Sequence, residues 1–366
     1  MKILSIVGAR PNFMKVAPLH RAFLEYPGLQ SKIVHTGQHY DSRMSEVFFD
    51  QLGLPTPHYF LGIGGGSHSQ QTARIMLAFE PILQEEKPDA VLVVGDVTST
   101  LACALVAVKE HVPVVHVEAG LRSGDRTMPE EINRILTDSI SDYLFVTEQA
   151  GLDNLAAENV PDEKVFFVGN VMIDSLVHYQ QKAKELTLLA DQGLTPGSYV
   201  LMTMHRPANV DQEEGLRSIV QIAKNTAQLR TVLFPMHPRT RANMEKYGLL
   251  TELEGVPHLH LMEPQGYLEF LHLMQHARLI ITDSGGIQEE TTYLQIPCLT
   301  FRDSTERPVT VELGTNYLLQ DLDPDTVHRY VVDTLDGRAK QGTIPPLWDG
   351  HAAGRIASIL IERLQR

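Results

Sequence analysis

The chain has 366 residues, of which 43% are hydrophobic and 21% are charged, and its formal net charge is −14. This length allows roughly two domains with cores of their own, and the composition is that of an ordinary globular protein. So acidic a chain is a poor candidate for binding nucleic acid or an anionic membrane, because both reward an excess of Lys and Arg.

Apolar runs alternate with helical patterns through the first half of the chain. After the first run, Val16, Leu19 and Phe23 recur at helical spacing and predict a helix. Strands that alternate with helices indicate βαβ units and a parallel, doubly wound sheet. The predicted strands of this half are 3–7, 33–36, 90–94, 114–117, 143–146 and 165–168.

A second series of the same kind follows. It is preceded by a predicted helix at 174–189 and by a loop of helix-breaking residues at 191–198, which is typical of a domain boundary. The last helix is predicted at about 354–364. We therefore predict an α/β fold with two Rossmann-like domains of similar size. The strands of the second series are 199–202, 232–234, 259–261, 279–281, 297–300 and 317–319.

The strand at 279–281 leads into a Ser-Gly-Gly turn at 284–286, and a helix is predicted to begin near Ile287. Glycine allows a sharp turn and the close approach of a ligand, and the free N–H groups of a helix start can bind phosphate. Glu290 lies about one helical turn further on, where its carboxylate could accept hydrogen bonds from a ribose diol. An ordinary strand-to-helix turn with a surface acid is the alternative.

Polar residues follow the carboxyl ends of predicted strands in both halves. In open α/β sheets, ligands bind at this edge, so two such edges facing each other predict a polar cleft. Loops are polar in any case, but that does not explain an anchoring residue after so many strands. These residues are Arg10, Gln38, Asp96, Glu118, His205, His237 and Asp283.

Basic residues stand where they could bind a diphosphate. Arg10 and Lys15 lie around the start of the first helix, although the G-x-x-x-x-G-K pattern of a Walker loop is absent. His205 and Arg206 follow a strand and could hold a pyrophosphate, and His237 is placed similarly. Solvated surface cations and structural histidines are the alternative interpretations.

The helix predicted after residue 128 begins with Pro129, Glu130 and Glu131. Acids in a first turn stabilise the helix dipole, so either acid could be purely structural. The alternative is that one of them faces the ligand.

Two cysteines, Cys103 and Cys298, stand in apolar runs. This favours buried free thiols and a reducing cytoplasm over a disulfide or a metal site. H-E-x-x-H and C-x-x-C spacings are absent, so no metal is predicted. The first residues show no signal-peptide pattern, and the longest apolar run, 101–108, falls short of the ~20 residues of a membrane helix.

Taken together, the chain resembles the non-hydrolysing UDP-N-acetylglucosamine 2-epimerase family almost from end to end. The combination of motifs is highly specific for that family. The matching stretches are 8–11 with Lys15, 94–96, 116–122, 129–134, 205–206, 264–268, 282–290 and 302–308.

The resemblance implies a glycosyltransferase-B fold, with the substrate in a cleft and the C-terminal helix crossing back to the first domain. It implies a sugar and catalytic domain at 1–172 plus 353–366 and a UDP-binding domain at 173–352. Neither a cofactor nor a metal is implied, and homodimers are usual for the family. The implied catalytic residues are Asp96, Glu118 and Glu130, together with His205. The residues implied to hold UDP are Arg10, Lys15, His205, Gln265, Phe270, Ser284, Gly285, Gly286, Glu290 and Arg307.

Some features depart from the best-known members. The segment 125–129 is shorter and lacks their aromatic, proline-rich insert. Some members are activated by their substrate through a region with arginines, which are missing here at 38–41 and 69–71, so allosteric activation is not predicted. The patterns at 36–41 and 44–46 also resemble relatives that act on UDP-2,3-diacetamido-2,3-dideoxyglucuronate, which leaves that substrate open.

The implied activity is reversible epimerisation at carbon 2 of UDP-N-acetylglucosamine to UDP-N-acetylmannosamine, by elimination and re-addition of UDP. Carboxylates on opposite faces of the sugar would serve as base and acid, and the sequence does not say which face each one serves. Three acids beside a sugar favour proton transfer over the reaction of a glycosyltransferase with the same fold. A hydrolysing epimerase and a nucleotide-sugar binding protein without turnover are further alternatives.

Overall fold

The computed structural model of the protein describes residues 1–37 and 53–365. Gln38, which the sequence places after a strand, lies outside the described residues, and so does the side chain of Arg10. The pattern at 38–41 that bears on allosteric activation also lies outside them.

The chain forms two compact units. Unit 1 comprises Met1–Ser175 with Pro346–Arg366, and unit 2 comprises Leu176–Pro345. The loop of helix-breaking residues at 191–198 lies inside unit 2. Across the described part of the chain, no helix is both long and apolar enough to cross a bilayer.

The core of unit 1 is a parallel sheet of seven strands in the order β3-β2-β1-β4-β5-β6-β7. Its central strands are covered on both faces, which is why their sequences are continuous apolar runs. Every residue of β4 is buried, for example. The strands are β1 Lys2–Val7, β2 Gln30–His35, β3 Tyr59–Phe60, β4 Ala90–Val94, β5 Val114–Ala119, β6 Tyr143–Val146 and β7 Val165–Phe167.

Helices connect these strands and cover the sheet. A short 3₁₀ turn at Asp162–Lys164 precedes the last strand. The helices of this part are α1 Arg10–Leu24, α2 His68–Glu86, α3 Thr98–Lys109, α4 Pro129–Ile140, α5 Gln149–Ala157 and the C-terminal α15 Ala352–Leu364. Helix α6 Val171–Lys184 begins in unit 1 and ends in unit 2.

The C-terminal segment is attached to unit 1 by polar contacts. The carboxylate of Asp174 accepts hydrogen bonds from the backbone N–H groups of Ala352 and Ala353, at 3.1 and 2.7 Å. These N–H groups have no partner within α15, so Asp174 caps that helix. The indole N–H of Trp348 donates to the carbonyl of Thr147 at 2.9 Å. Helix α15 is therefore fixed on unit 1.

Unit 2 repeats the architecture with a parallel sheet of six strands in the order β10-β9-β8-β11-β12-β13. The strand order reverses direction between β8 and β11, which is the topological switch point of a doubly wound sheet. The strands are β8 Tyr199–Thr203, β9 Thr231–Pro235, β10 Leu259–Met262, β11 Leu279–Thr282, β12 Cys298–Phe301 and β13 Asn316–Leu319.

The helices of unit 2 include three short ones. A 3₁₀ turn at Leu250–Glu252 follows the helix Pro238–Lys246. The helices are α7 Leu188–Asp191, α8 Pro207–Val210, α9 Glu213–Leu229, α10 Pro238–Lys246, α11 Tyr267–Gln275, α12 Gly285–Leu294, α13 Val309–Glu312 and α14 Pro324–Leu335.

The predicted strands and the α/β class are confirmed, with small shifts at strand ends. Strand β3 is not among the predicted strands, because a strand of two residues shows no periodicity. The helix expected at 174–189 is two helices, α6 and α7. Helix α12 begins at Gly285 instead of near Ile287, because Ser284 has extended backbone angles and ends the turn. The cysteines are buried and free, as predicted.

Candidate active site

The polar residues predicted at strand ends lie where expected. Asp96 follows β4, and His205, His237 and Asp283 follow β8, β9 and β11. Glu118 is a correction, because β5 extends to Ala119 and includes it. The carboxyl edge of each sheet therefore carries chemically active side chains, where ligands bind in such folds.

Glu118 has an unusual backbone conformation. Its φ angle is +69°, in the left-handed region that residues other than glycine rarely adopt. Val117 pairs with Phe145 and Ala119 pairs with Val146, so β5 has one extra residue at this point. Bulges of this kind redirect a side chain and are common beside active sites.

The carboxylate of Glu118 is paired with Lys15. The ammonium group of Lys15 donates to Oε2 of Glu118, and both residues are buried. Gly95 lies beside the pair with φ +67°, and a Cβ there would be 3.1 Å from Nζ of Lys15. Only glycine satisfies both the backbone angle and the close approach. The structure thus brings two predicted site residues together, although it pairs Lys15 with an acid.

Asn12 fixes the first turn of α1. Its Oδ1 accepts hydrogen bonds from the N–H groups of Gly8 and Ala9, at 3.1 and 2.9 Å, and its Nδ2 donates to the carbonyl of Val94 at 3.1 Å. The loop before α1 is therefore attached to the end of β4. No local sequence pattern indicates this role of Asn12.

The carboxylate of Asp96 is paired with Arg134 on α4. Nη2 of Arg134 donates to Oδ2 of Asp96, and Nη1 donates to Glu131 at 2.8 Å. Asn133, the preceding residue on α4, donates to the backbone carbonyl of Asp96 at 2.8 Å. Both the backbone and the side chain of Asp96 are thus held by the first turns of one helix.

Two adjacent acids on α4 have different surroundings. Glu131 is buried and accepts hydrogen bonds from the N–H groups of Ser123 and Gly124, at 2.9 and 3.0 Å. Burial works against these bonds, but together with Arg134 they hold the pKa of Glu131 below its usual range. Glu130 is half-buried, and its side chain makes no ion pair or hydrogen bond within the described residues. The structural role therefore belongs to Glu131.

In unit 2, Asp283 organises the turn that carries His205 and Arg206. It is fully buried, and its carboxylate accepts the backbone N–H of His205 at 3.0 Å and that of Arg206 at 2.8 Å. Nδ1 of His205 lies 2.9 Å from the same carboxylate. Burial opposes ionisation, but the bonds from His205 and its neighbours outweigh it and lower the pKa of Asp283. With Nδ1 engaged, Nε2 of His205 has no hydrogen bond to another described residue and is the ring nitrogen left for a ligand.

His237 lies close to this turn. Its ring centroid is 5.5 Å from that of His205. Its Nδ1 accepts the backbone N–H of Arg239 at 3.1 Å and so caps α10. Burial, and then the nearby His205, lower the pKa of His237, which favours the neutral ring.

The glycines at the start of α12 differ in their surroundings. A Cβ on Gly285 would lie 2.7 Å from Nη1 of Arg302, whereas a Cβ on Gly286 would meet no atom within 4 Å. Neither glycine has a positive φ, so they serve close approach and not a left-handed turn. The space beside Gly286 leaves room for a ligand near the helix start.

A surface acid is one interpretation of Glu290 from the sequence, but the residue is buried. Its Oε1 accepts a hydrogen bond from the hydroxyl of Tyr267 at 3.0 Å. Burial raises the pKa of Glu290 to about 7. The interpretation of Glu290 as an exposed surface acid is therefore wrong.

Arg307 lies in a buried cluster of opposite charges. Its Nε is 2.6 Å from Glu289 and its Nη1 is 2.7 Å from Glu306. Arg302 pairs with Glu306 at 2.8 Å. The guanidinium of Arg307 is thus positioned by acids of its own unit, and its binding of a diphosphate stays a prediction.

Gln265 and Phe270 are both half-buried near the start of α11. The side-chain amide of Gln265 donates to the carbonyl of Glu263 at 2.7 Å. Among residues 1–37 and 53–365, no three His, Cys, Asp or Glu side chains are grouped to hold a metal ion.

Two doubly wound parallel sheets, one in each unit, define an α/β protein of the glycosyltransferase-B fold. A family model described as UDP-N-acetylglucosamine 2-epimerase matches residues 21–361. The chain therefore belongs to the UDP-N-acetylglucosamine 2-epimerase family and is an isomerase, as its resemblance implied.

Individual relatives are similar to this chain over nearly its full length. A UDP-N-acetylglucosamine 2-epimerase of Methanocaldococcus jannaschii is 41% identical over 365 residues, which cover 98% of this chain and 99% of the relative. A UDP-2,3-diacetamido-2,3-dideoxy-D-glucuronate 2-epimerase of Pseudomonas aeruginosa is 43% identical, with the same coverage. The crystal structure of the M. jannaschii enzyme with UDP-GlcNAc and UDP matches with a TM-score of 0.88 and 40% identity, over 99% of this chain and 100% of that chain.

Proposed function

We propose that the protein interconverts UDP-N-acetylglucosamine and UDP-N-acetylmannosamine by eliminating UDP and adding it back. The observation that carries this proposal is the bulge that presents the buried carboxylate of Glu118 beside Lys15, at the same sheet edge as Asp96. A base held in a strained, preorganised position is suited to removing a weakly acidic C–H proton.

The first half of the reaction breaks two bonds. The bond between carbon 1 and the UDP oxygen breaks with its electron pair going to UDP, and the positive charge developing at carbon 1 acidifies the hydrogen on carbon 2. A carboxylate takes that proton, and a double bond forms between carbons 1 and 2. Asp96, Glu118 and Glu130 are the proposed acids and bases, each contributing about a hundredfold or more.

The second half reverses these changes on the other face. UDP adds to carbon 1, and a second acid delivers a proton to carbon 2 from the side opposite to the one first attacked. The result is an inverted carbon 2 with no net change in composition, so no oxidant or other co-reactant is needed. His205, whose Nδ1 is held by Asp283, is the proposed catalytic histidine beside the departing diphosphate.

The remaining predicted residues are proposed to hold UDP. Preorganised donors of this kind contribute roughly 3–4 kcal/mol each to stabilising the developing charge. As the resemblance implies, we place the sugar and catalytic side at 1–172 plus 353–366 and the UDP side at 173–352, with Arg10 and Lys15 as the UDP-binding residues of the first domain. The proposed UDP-binding residues are Arg10, Lys15, His205, Arg206, His237, Gln265, Phe270, Ser284, Gly285, Gly286, Glu290 and Arg307.

A second candidate substrate is UDP-2,3-diacetamido-2,3-dideoxyglucuronate. The similarity to the Pseudomonas aeruginosa enzyme named for that sugar favours it. The chemistry at carbon 2 would be the same, and only the groups that contact carbons 3 and 6 would differ.

The test is to incubate the protein with each nucleotide sugar in deuterated water and follow the reaction by NMR. Deuterium at carbon 2 with a mixture of gluco and manno forms is expected for the true substrate. Free N-acetylmannosamine would indicate hydrolysis, and consumption only when an acceptor is added would indicate a glycosyltransferase.

Glu118→Gln is the control, because it should stop exchange and leave UDP binding intact. Normal exchange by Glu118→Gln would contradict the proposed role.

The proposal extends to a homodimer in a reducing cytoplasm. Leu77, Val108 and Leu136 are 72%, 36% and 44% exposed on the neighbouring helices α2, α3 and α4, which supports a second copy of the chain covering them. The two buried free cysteines fit a reducing compartment. Leu77→Glu should convert a dimer into a monomer in light scattering, whereas Leu24→Glu, at another exposed position, should not.

A further inference from the structure

The ring of His116 is completely buried between two oxygen atoms of unit 1. Nδ1 lies 2.6 Å from Oδ1 of Asp138, and Nε2 lies 2.8 Å from the carbonyl oxygen of Gly95. A carbonyl oxygen only accepts hydrogen bonds, so Nε2 carries a hydrogen.

The carboxylate of Asp138 is ionised in this setting. Burial raises its pKa, but the adjacent His116 and Arg122 outweigh burial and lower it. The two residues therefore form a buried hydrogen-bonded pair, and the ring of His116 links the carboxylate of Asp138 to the carbonyl of Gly95.

The second carboxylate oxygen of Asp138 contacts residues that follow Glu118 in the chain. Oδ2 accepts the backbone N–H of Gly120 at 3.0 Å and a guanidinium N–H of Arg122 at 2.7 Å. One carboxylate thus binds the side chain two residues before Glu118 and the backbone two residues after it. The left-handed conformation of Glu118 is enclosed between these two contacts.

The second ring nitrogen of His116 contacts the backbone next to Asp96. The Nε2–H of His116 holds the carbonyl of Gly95, which is the peptide group that leads directly into Asp96. The contacts of Asp96 with α4 fix its other side. The backbone positions of both acids are consequently joined through one buried ring.

We propose that His116 and Asp138 are positioning residues for epimerisation, which set the relative placement of the carboxylates of Glu118 and Asp96. This inference rests on the catalytic roles proposed for those two acids. The pair does not contact the sugar, so its loss should slow the chemical step and leave nucleotide binding unchanged.

Two substitutions separate the two contacts. His116→Asn keeps a donor near Nδ1 and loses the one that reaches Gly95, whereas His116→Gln keeps a donor near Nε2 and loses the contact with Asp138. Each should lower kcat for carbon 2 exchange at least tenfold, with KM and the Kd for UDP changed less than threefold. Asp138→Leu should behave like them. Asp138→Asn should retain most of kcat, because an amide can donate to Nδ1 of a neutral His116 and accept from Gly120.

The matched control is Glu86→Gln. Glu86 is another carboxylate of unit 1 with three partners, Lys2, Lys32 and Tyr59, at the opposite end of the sheet. It should lower the melting temperature and leave kcat unchanged. If the His116 variants likewise lose only stability, or if Asp138→Asn is no better than Asp138→Leu, the proposal is overturned. If the wild-type protein exchanges carbon 2 of neither nucleotide sugar, the proposed function fails first and this inference fails with it.

Discussion

The hydroxyl of Tyr267 donates a hydrogen bond to Oε1 of Glu290 over 3.0 Å inside unit 2. Burial raises the pKa of Glu290 to about 7, against the effect of this hydrogen bond, and the neighbouring Glu289 adds to the rise. Burial and the same carboxylate raise the pKa of Tyr267 well above its usual value, so Tyr267 stays protonated and remains the donor. Glu290 therefore changes charge near neutral pH.

Glu290→Gln should stabilise the protein at alkaline pH. Between the ordinary pKa of 4.5 and the folded value of about 7, the folded state holds a proton that the unfolded chain releases. Stability from this group therefore falls as pH rises through that window, by up to about 3 kcal/mol. Urea unfolding should show the variant more stable than wild type at pH 8 and nearly equal at pH 4.5. An equal difference at both pH values would contradict this assignment.

UDP binding should strengthen as pH rises through about 7. An ionised carboxylate accepts hydrogen bonds from a ribose diol better than a protonated one, and Glu290 is the residue proposed to meet that diol. Calorimetric titration at pH 6, 7 and 8 tests this, with Glu290→Gln as the control for ionisation of UDP itself. The prediction fails if wild type and variant show the same pH dependence.

Much of the fold follows from the sequence because parallel strands buried on both faces read as apolar runs. All residues of β4 are buried, and Asp96 could be placed after it for that reason. The same reasoning placed His205 after β8 and Asp283 after β11. The sheet edges, and hence the candidate site residues, could be predicted without coordinates.

The pairing of those residues could not be predicted. Lys15 and Glu118 are 103 positions apart, and no local pattern marks them as partners. The left-handed conformation of Glu118 depends on pairing between strands and not on its own residue type. The burial of Asp283 was likewise hidden, because an acid after a strand looks the same whether it faces ligand or backbone N–H groups.

A double-mutant cycle should show strong coupling between Lys15 and Glu118. Lys15→Met leaves a buried carboxylate without this partner, which costs about 3–5 kcal/mol in comparable pairs. Once Glu118→Gln has removed the charge, the same Lys15→Met change should cost much less. Urea unfolding of the four proteins gives the coupling energy. Additive effects would mean that the ion pair contributes nothing to the folded state.

The two adjacent acids on α4, Glu130 and Glu131, should respond differently to the loss of their charge. Glu130 makes no ion pair or hydrogen bond within the described residues, so Glu130→Gln should leave the melting temperature unchanged. As a proposed acid or base, it should lose about a hundredfold or more in kcat. Glu131→Gln places an amide against N–H donors of Ser123 and Gly124, and it should lower the melting temperature.

The comparison of these two variants distinguishes catalysis from helix stabilisation. Acids in a first turn stabilise a helix dipole whichever of the two positions they occupy, so a purely electrostatic role predicts similar, small losses of stability for both. Carbon 2 exchange and thermal unfolding measured on the same preparations give both quantities. If Glu130→Gln exchanges deuterium at the wild-type rate, Glu130 is not a catalytic carboxylate, and Asp96 and Glu118 must account for both proton transfers.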